Sequence, residues 1–456
     1  MIVMKFGGTS VQDAESIRRV ASIVGERMPK HPVVVISAVG KTTRNLLEAA
    51  RVSVSGDLDA GLRKLDAVQK LHEILGSETI DGWGGTEAKR RIDGYFDDLH
   101  KLLDGLSILG ELSPRSQDKI LSYGELMSSS ILDAAFKRHG LPSVWLDARK
   151  CILTDERFTA ASPILEETDE AVRKLVQPVL LKNQLPLLQG YIGASKNGAT
   201  TTLGFEGSDF SAALVGAALE ATEIQIWKDV PGVMTADPEM VPEARTVRHV
   251  TFEEAAHLTF FGAKVLHPKS IEPARKRNIP VTVCNSKNPG LAGSTITSVS
   301  PRKKAAVISI AYKKPLQWMR IQSNMTLPLH AFYQAAMETF TRVSIAPLVF
   351  STAENTVTVV VEQDAAGDLR ETLERFAHVA IQPDKAAVTL VGEGIRSEKR
   401  LAEVVLACLK NEAVHVLSVG SSETGLTVLT DADSVTRTLN ILHSTFFKEW
   451  DPALFT

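Results

Sequence analysis

The chain has 456 residues, of which 44% are hydrophobic and 23% charged, proportions typical of folded globular proteins. That length predicts roughly two or three domains. A formal net charge of -3 argues against bulk binding of nucleic acid, and no apolar run approaches the ~18 residues that span a bilayer.

The three cysteines lack Cys-x-x-Cys or Cys/His spacing, which predicts reduced thiols rather than disulfides or zinc ligands. Because the chain begins directly with a strand-like run, we expect no signal peptide and a cytoplasmic location.

The first ten residues, MIVMKFGGTS, carry the most informative local pattern. The apolar run Met1 to Met4 predicts a buried strand, and a helix is predicted to begin near Asp13. Between them stand Lys5, Gly7 and Gly8. A strand that ends in a Gly-Gly turn before a helix presents backbone N–H groups to an anion, and a lysine beside them suits the phosphates of a nucleotide. Alone the pattern is weak, because Gly-Gly after a strand is more often only a tight turn.

Strand-like apolar runs alternate with amphipathic helical segments through the first 300 residues. Near-continuous apolar strands separated by helices predict an α/β domain with a parallel sheet covered on both faces. Residues 55–112 are polar and helical, and we interpret them as an insertion in a catalytic domain of residues 1–300. The predicted strands are 33–39, 143–146, 185–191, 223–227 and 281–284, and the predicted helices include 14–27, 129–138, 209–219 and 252–258.

The pattern changes after residue 300, where two similar blocks follow at residues 305–382 and 384–450. Each has the strand and helix order of the ferredoxin-like βαββαβ plan. Paired α+β units of this kind suit ligand sensing or dimerisation, although a purely structural appendage has the same periodicity. Which block the final strand completes stays open.

Polar and glycine-rich clusters lie mostly at the ends of predicted strands, where open α/β sheets place their ligands. Taken singly, each is explained by turn or capping chemistry: Asp209 can cap a helix, and Lys264 can be a solvated surface lysine. Only their combination favours a functional site. The clusters are Lys5–Ser10, Ser37–Asn45, Gly124–Ser128, Thr200–Asp209, Ile226–Asp237 and Phe261–Pro268.

In their order and approximate spacing these motifs resemble those of the aspartate kinases of the amino acid kinase superfamily. The segments are KFGGTS, GELMS, TTTLG followed by GSD, DVPGV followed by TADP, and FGAKVLHP. KFGGTS followed much later by FGAKVLHP is highly specific. The resemblance implies a three-layer, carbamate-kinase-like α/β domain with a mainly parallel central sheet. Two ferredoxin-like α+β domains of the ACT type are implied to follow it.

The resemblance also implies a reaction. The γ-phosphoryl group of ATP would pass to the β-carboxylate of aspartate, giving 4-phospho-aspartate and ADP, on the pathway to lysine, threonine and methionine. Magnesium would bridge the ATP phosphates rather than bind a protein cage. An amino-acid effector at the ACT domains and a homodimer or dimer of dimers are implied by analogy, with no nucleic-acid or membrane partner.

Carried over by position, the resemblance gives each motif residue a role. Lys5 and Lys264 would bind the phosphates, and Asp209 would orient these lysines or hold substrate. Gly7 and Gly8 would let backbone N–H groups approach the phosphates. The remaining assignments are Trp227, Lys228, Asp229 and Met234 for the nucleotide pocket, Ser37, Thr43, Glu125, Gly207 and Ser208 for aspartate, with Glu125 facing its ammonium group, and Asn324 and Met325 for an effector.

Several positions depart from the family pattern. Phe205-Glu206 stand where an arginine and a small residue usually precede Gly-Ser-Asp, and that arginine forks onto a substrate carboxylate. We hypothesise that aspartate is still the substrate, with the carboxylate held by another cation such as Arg44 or Arg149. Glu239 replaces a nucleotide-facing arginine, and Met234 replaces a tyrosine.

The departures leave two alternatives to an active aspartate kinase. Phe205 motivates a kinase of another amino-acid carboxylate, and Phe205 with Glu239 motivates a catalytically weakened amino-acid-sensing subunit. The retained lysines and carboxylates of the motifs argue against the second alternative. In the first ACT-like block, Ala331-Phe332 replaces Gly-Phe and Ala346-Pro347 falls where polar ligands are expected. These changes predict a weak or altered response to an amino-acid effector.

Overall fold

The computed structural model describes residues 1–263, 266–300, 302, 307–325, 327–398, 400–419 and 423–456. They form two compact units, the first of Met1–Val233 and Leu266–Val299, and the second of Met234–Val265 and Ser300–Thr456. The segment 234–265, predicted within the catalytic domain, therefore groups with the second unit. None of the helices in these ranges combines the length and apolar character that a bilayer crossing requires.

Strands and helices are numbered along the chain. The strands are β1 (Ile2–Phe6), β2 (Pro32–Ile36), β3 (Ser143–Leu146), β4 (Leu153–Thr154), β5 (Leu185–Gln189), β6 (Ile192–Ser195), β7 (Thr200–Thr202), β8 (Glu223–Lys228), β9 (His249–Thr251), β10 (Val281–Asn285), β11 (Ser294–Thr297), β12 (Ser309–Ser323), β13 (Val349–Ala353), β14 (Thr356–Glu362), β15 (Ala377–Val391), β16 (Val416–Val419) and β17 (Gly425–Asp431). The helices are α1 (Ala14–Arg27), α2 (Thr42–Val54), α3 (Leu58–Thr79), α4 (Glu87–Leu109), α5 (Pro114–Arg138), α6 (Leu165–Leu180), α7 (Gly207–Ala218), α8 (Phe252–Phe260), α9 (Pro268–Lys276), α10 (Leu329–Arg342), α11 (Ala366–Leu373), α12 (Leu401–Cys408) and α13 (Val435–Phe446).

Seven strands of the first unit form a mainly parallel sheet in the order β3-β5-β2-β1-β8-β10-β11. Neighbouring strands are parallel except β10 and β11, which are antiparallel. Strands β1, β2, β5 and β10 are buried along their whole length, as expected of apolar strands covered on both faces. The α/β class predicted from the sequence is thereby confirmed. The carboxyl ends of β1, β2, β5 and β8 meet at one edge of the sheet.

Helices fill the predicted insertion and carry one of the motifs. Residues 55–112 contain the long helices α3 and α4. The motif at Gly124–Ser128 lies inside α5 rather than at the end of a strand, and all of its residues are buried. Its side chains therefore project from a rigid helix.

The second unit contains a six-stranded antiparallel sheet in the order β13-β14-β12-β15-β17-β16. Strands β12 and β15 pair with each other and join the two predicted ACT-like blocks. Residues 309–313 pair with 387–391, and residues 316–323 pair with 377–385. The start of β12 therefore completes the second block, and the predicted boundary between residues 382 and 384 falls inside β15. The helices α10 and α11 bury a shared apolar core against the half of the sheet formed by the first block.

Candidate active site

The turn after β1 packs tightly against the end of β8 and the loop that follows β2. The Gly7 N–H donates to the Trp227 carbonyl at 3.2 Å, and the Gly40 N–H donates to the Gly8 carbonyl at 3.1 Å. A Cβ at Gly8 would lie 2.7 Å from the Ala38 carbonyl oxygen, closer than real side chains allow. Glycine is therefore required at position 8, because two backbone segments approach each other there.

We expect Gly8→Ala to destabilise the protein by about 1–3 kcal/mol, because the added methyl group forces the two backbone segments apart. The matched change Gly7→Ala meets only ordinary contacts, the closest at 3.7 Å. It should alter the free energy of unfolding by less than about 0.5 kcal/mol. Urea unfolding of both variants, followed by circular dichroism, measures the difference, and equal destabilisation by the two changes would contradict this explanation.

Two lysines share one buried carboxylate at the carboxyl edge of the sheet. Lys5 of β1 places its Nζ 2.6 Å from Oδ1 of Asp209, and Lys228, the last residue of β8, places its Nζ 3.3 Å from Oδ2. Lys5 is 6% exposed and Asp209 is 2% exposed, so water and salt screen this pair little. Asp209 lies in the first turn of α7, where the helix dipole favours a negative charge.

The charge state of Asp209 follows from these neighbours. Burial raises the pKa of its carboxyl group, but the ammonium groups of Lys5 and Lys228 outweigh burial and leave the pKa below its usual value. Asp209 is therefore ionised at neutral pH and holds both ammonium groups near one point. Cations fixed in this way can neutralise anionic oxygens, such as those of a carboxylate or of a phosphoryl group during its transfer.

Glu125 is a second buried carboxyl group, supplied by the interior of α5. It is 4% exposed, and its Oε2 has no hydrogen-bond partner in the part of the chain that the structure describes. Burial raises its pKa to about 8, although Lys5 and the Ala38 N–H oppose the rise. Because a buried acceptor without a donor is costly, Glu125 indicates a ligand that brings a donor, such as an ammonium group.

These charged groups face one cavity of about 320 Å³. Lys5, Asp209 and Lys228 line it, so Lys5, predicted to bind the phosphates, and Lys228, predicted for the nucleotide pocket, meet the predicted substrate residues in one place. All five residues predicted to bind aspartate also line it, namely Ser37, Thr43, Glu125, Gly207 and Ser208.

Close packing positions the loop that leads into α7. A Cβ at Gly190 would lie 2.6 Å from the Cβ of Ser208, and the Gly190 N–H donates to the Ile36 carbonyl at 2.8 Å. Buried Asp118 of α5 accepts the hydroxyl and the N–H of Thr202, at 2.6 and 2.9 Å. The loop is therefore fixed by Gly190 and Asp118, two residues that the motif analysis missed.

Phe205 and Glu206 occupy the turn at the start of α7. Phe205 is 81% exposed, and its ring lies edge-on to that of His267, with 6.0 Å between the ring centroids. Glu206 has a φ of 52°, which is uncommon outside glycine. Its carboxylate accepts the His267 N–H, lies 3.8 Å from the Lys228 Nζ and lines the cavity. The sequence feature that could have indicated Glu206 as a cavity residue is a charged side chain within a glycine-rich turn.

Five described residues that were predicted for the nucleotide do not line this cavity, namely Gly7, Gly8, Trp227, Asp229 and Met234. The indole of Trp227 is buried and stacked on Phe6, with 5.7 Å between ring centroids, so it is a core side chain. Asp229 is exposed, and Met234 belongs to the second unit. Lys264 lies outside the described residues. The second lysine that contacts the Asp209 carboxylate beside Lys5 is Lys228, which the motifs had assigned to the nucleotide pocket.

Comparison with known proteins agrees with this geometry. Residues 1–285 match the model of the amino acid kinase family. The chain is 35% identical to aspartokinase 2, chloroplastic, of Arabidopsis thaliana, over 99% of this chain and 85% of that protein. It is 29% identical to lysine-sensitive aspartokinase 3 of Escherichia coli strain K12, over 98% of this chain and 99% of that protein.

Solved structures extend the comparison. The structure of E. coli aspartokinase III in complex with aspartate and ADP matches with a TM-score of 0.85 at 28% identity, covering 98% of this chain and all of that one. The parallel sheet, the turn after β1 and the paired lysines thus belong to a protein of the amino acid kinase family. Within that family the chain belongs to the aspartokinases, because the similarity extends over both compact units. The resemblance predicted from the motifs is thereby confirmed.

Proposed function

We propose that this protein is an aspartate kinase, which transfers the γ-phosphoryl group of ATP to the β-carboxylate of L-aspartate and gives 4-phospho-L-aspartate and ADP. This is the first step towards lysine, threonine and methionine. The observation that carries the proposal is the cavity in which Lys5, Asp209 and Lys228 meet buried Glu125. Membership of the aspartokinase family supports the same reaction.

The chemistry follows from the charges that the reaction brings together. A carboxylate and a triphosphate repel each other, so positioning and charge neutralisation account for most of the catalysis. The Lys5 ammonium stands beside the Gly7-Gly8 turn, whose backbone N–H groups were predicted to approach the phosphates. Asp209 keeps that ammonium in place, and Glu125 is available for the ammonium group of aspartate.

Magnesium would be carried by the ATP phosphates. Within the described ranges no three His, Cys, Asp or Glu side chains form a group that could hold a metal ion, and the Asp209 carboxylate is engaged by two lysines. Phosphate oxygens and water are ligands that Mg²⁺ accepts readily. When bound there, the ion would offset the charge of the β- and γ-phosphates, and Lys5 would offset the charge of the phosphoryl group that is transferred.

Trapping of the acyl phosphate tests the proposed reaction. Purified protein with ATP and magnesium should form a hydroxamate from aspartate when hydroxylamine is present, and little from glutamate or N-acetylglutamate. A preference for either of the other two would favour the second candidate, a kinase of another amino-acid carboxylate, which Phe205 motivates. No hydroxamate from any of the three would contradict kinase activity on an amino-acid carboxylate.

Regulation should differ from that of lysine-sensitive relatives. E. coli aspartokinase III has been solved in complex with lysine and aspartate, and Asn324 and Met325 were predicted at the corresponding effector position here. Met325 is 76% exposed, and Ala346-Pro347 provides no side-chain donor for a polar ligand. We expect weak or altered inhibition when turnover is titrated with lysine and with threonine. Potent inhibition by either amino acid would contradict this.

The predicted assembly and location belong to the same proposal. We infer a homodimer or a dimer of dimers, since ACT-type units commonly pair with one another. A cytoplasmic location is supported by three cysteines that form no disulfide, of which Cys151 and Cys284 are buried. Light scattering on the purified protein measures the mass of the assembly.

A further inference from the structure

The cavity needs a cation for the substrate carboxylate that is not phosphorylated. The family pattern has an arginine for this task, but Phe205 stands in its place and is 81% exposed. Among the described residues, the Lys and Arg side chains that line the cavity are Lys5 and Lys228. Lys5 adjoins the turn predicted to bind the phosphates, since a Cβ at Gly7 would be 3.8 Å from its Nζ. Lys228 is then the remaining cation.

We propose that Lys228 is a specificity-determining residue that binds the α-carboxylate of aspartate, and that Glu206 is its positioning partner. The inference rests on the aspartate kinase activity proposed above. It moves Lys228 from the nucleotide pocket, where the motif placed it, to the amino-acid side of the cavity.

The geometry around Lys228 supports this role. Its side chain is 19% exposed and comes from the carboxyl end of β8, so it reaches the cavity from the rigid sheet. The distance of 3.8 Å to Oε1 of Glu206 is longer than a hydrogen bond. An ammonium group has three donors that rotate freely. The ammonium group can therefore turn a donor towards a substrate carboxylate while Asp209 and Glu206 stay beside it.

Glu206 is built to hold its carboxylate at this point. The His267 N–H donates to Oε2, and the Ser270 hydroxyl donates to the Glu206 carbonyl at 3.4 Å. The left-handed backbone at φ 52° is strained for glutamate, and these contacts keep it in place. Together with Asp209, the anchored carboxylate confines the Lys228 ammonium to the cavity.

The two other candidate cations are placed elsewhere. Arg44 is exposed on α2 and does not line the cavity. Arg149 donates its Nε and Nη2 to the two carboxylate oxygens of Asp147, at 2.9 and 2.7 Å, and it does not line the cavity either. A guanidinium engaged in such a bidentate pair is already satisfied by its own carboxylate.

The test compares aspartate with its α-amide, which keeps the β-carboxylate but lacks the charge that Lys228 would bind. The wild-type enzyme should prefer aspartate. Lys228→Met should raise the KM for aspartate about 10- to 100-fold, the range for a lost charge-assisted hydrogen bond, with little change in the KM for ATP. The preference for aspartate over the amide should then disappear. A raised KM for ATP with the preference intact would overturn the proposal and assign Lys228 to the phosphates.

Two further variants make the test specific. Lys30→Met removes an exposed lysine of the same unit that does not line the cavity and should leave both KM values and the preference unchanged; loss of the preference in this variant would overturn the proposal. Phe205→Arg combined with Lys228→Met returns a cation to the family position and should recover at least part of the preference. Wild-type protein that forms no acyl phosphate from aspartate would instead contradict the proposed function itself, which separates the two failures.

Discussion

Replacing Lys5 with methionine should lower kcat about 10³-fold, the upper end of the loss seen when one group that stabilises the transferring charge is removed. The Lys5 Nζ lies 2.6 Å from Oδ1 of Asp209 and is almost fully buried. No other described lysine replaces it beside the Gly7 turn. Steady-state hydroxamate formation at saturating aspartate and ATP measures the loss.

The same substitution removes one of the two ammonium groups that balance the Asp209 charge. Its effect on stability must therefore be measured separately from its effect on catalysis. Breaking a buried ion pair costs about 3–5 kcal/mol, but Lys228 still faces Asp209 at 3.3 Å, so we expect the lower end of that range. Adding Asp209→Asn to Lys5→Met removes the uncompensated charge and should recover stability without recovering turnover. Lys30→Met, at an exposed lysine of the same unit, should change neither property. More than a tenth of wild-type turnover in Lys5→Met would contradict the proposed role.

Local sequence signals predicted the frame of the first unit and selected residues that line one of its cavities. The apolar run from Val33 becomes the buried parallel strand β2, which ends at Ile36 rather than at the predicted Val39. Such continuous apolar sequence is typical of strands that are covered on both faces. The Gly7-Gly8 turn could be predicted because a tight turn is specified by residues that are adjacent in the sequence. All five predicted aspartate residues line one cavity. Ser37 directly follows β2 at the carboxyl edge of the parallel sheet, whereas the helices α2, α5 and α7 supply the other four.

Features set by long-range packing could not be predicted in this way. Which half of β12 or β15 belongs to which block depends on the antiparallel strand with which that half pairs. The alternation of side chains between the two faces of a strand is the same whichever partner it has, so the sequence does not predict this division. The grouping of residues 234–265 with the second unit is likewise a matter of tertiary contacts. The approach of Lys228 and Glu206 to the cavity joins residues from β8 and the start of α7, which no local pattern connects.

Replacing Glu125 with glutamine should separate binding from stability. The Glu125 carboxyl group is buried with a pKa of about 8, so much of it is protonated at pH 7 before aspartate binds. Only the ionised form pairs strongly with the ammonium group of aspartate. The wild-type KM for aspartate should therefore fall as the pH rises from 7 towards 8.5. Glu125→Gln should raise that KM about 10- to 100-fold and remove its pH dependence.

Although Glu125→Gln should weaken aspartate binding, it should make the folded protein more stable than the wild type at alkaline pH. Burial lifts the Glu125 pKa from its ordinary 4.5 to about 8, so between these values the folded protein holds a proton that the unfolded chain releases. Stability therefore falls as the pH rises through this window, and glutamine, which does not titrate, escapes the loss. Thermal unfolding should show Glu125→Gln equal to the wild type near pH 5 and more stable at pH 8.5. A difference in Tm that stays constant across this range would mean that Glu125 is ionised in the folded protein, with a donor already supplied by the chain rather than by the substrate.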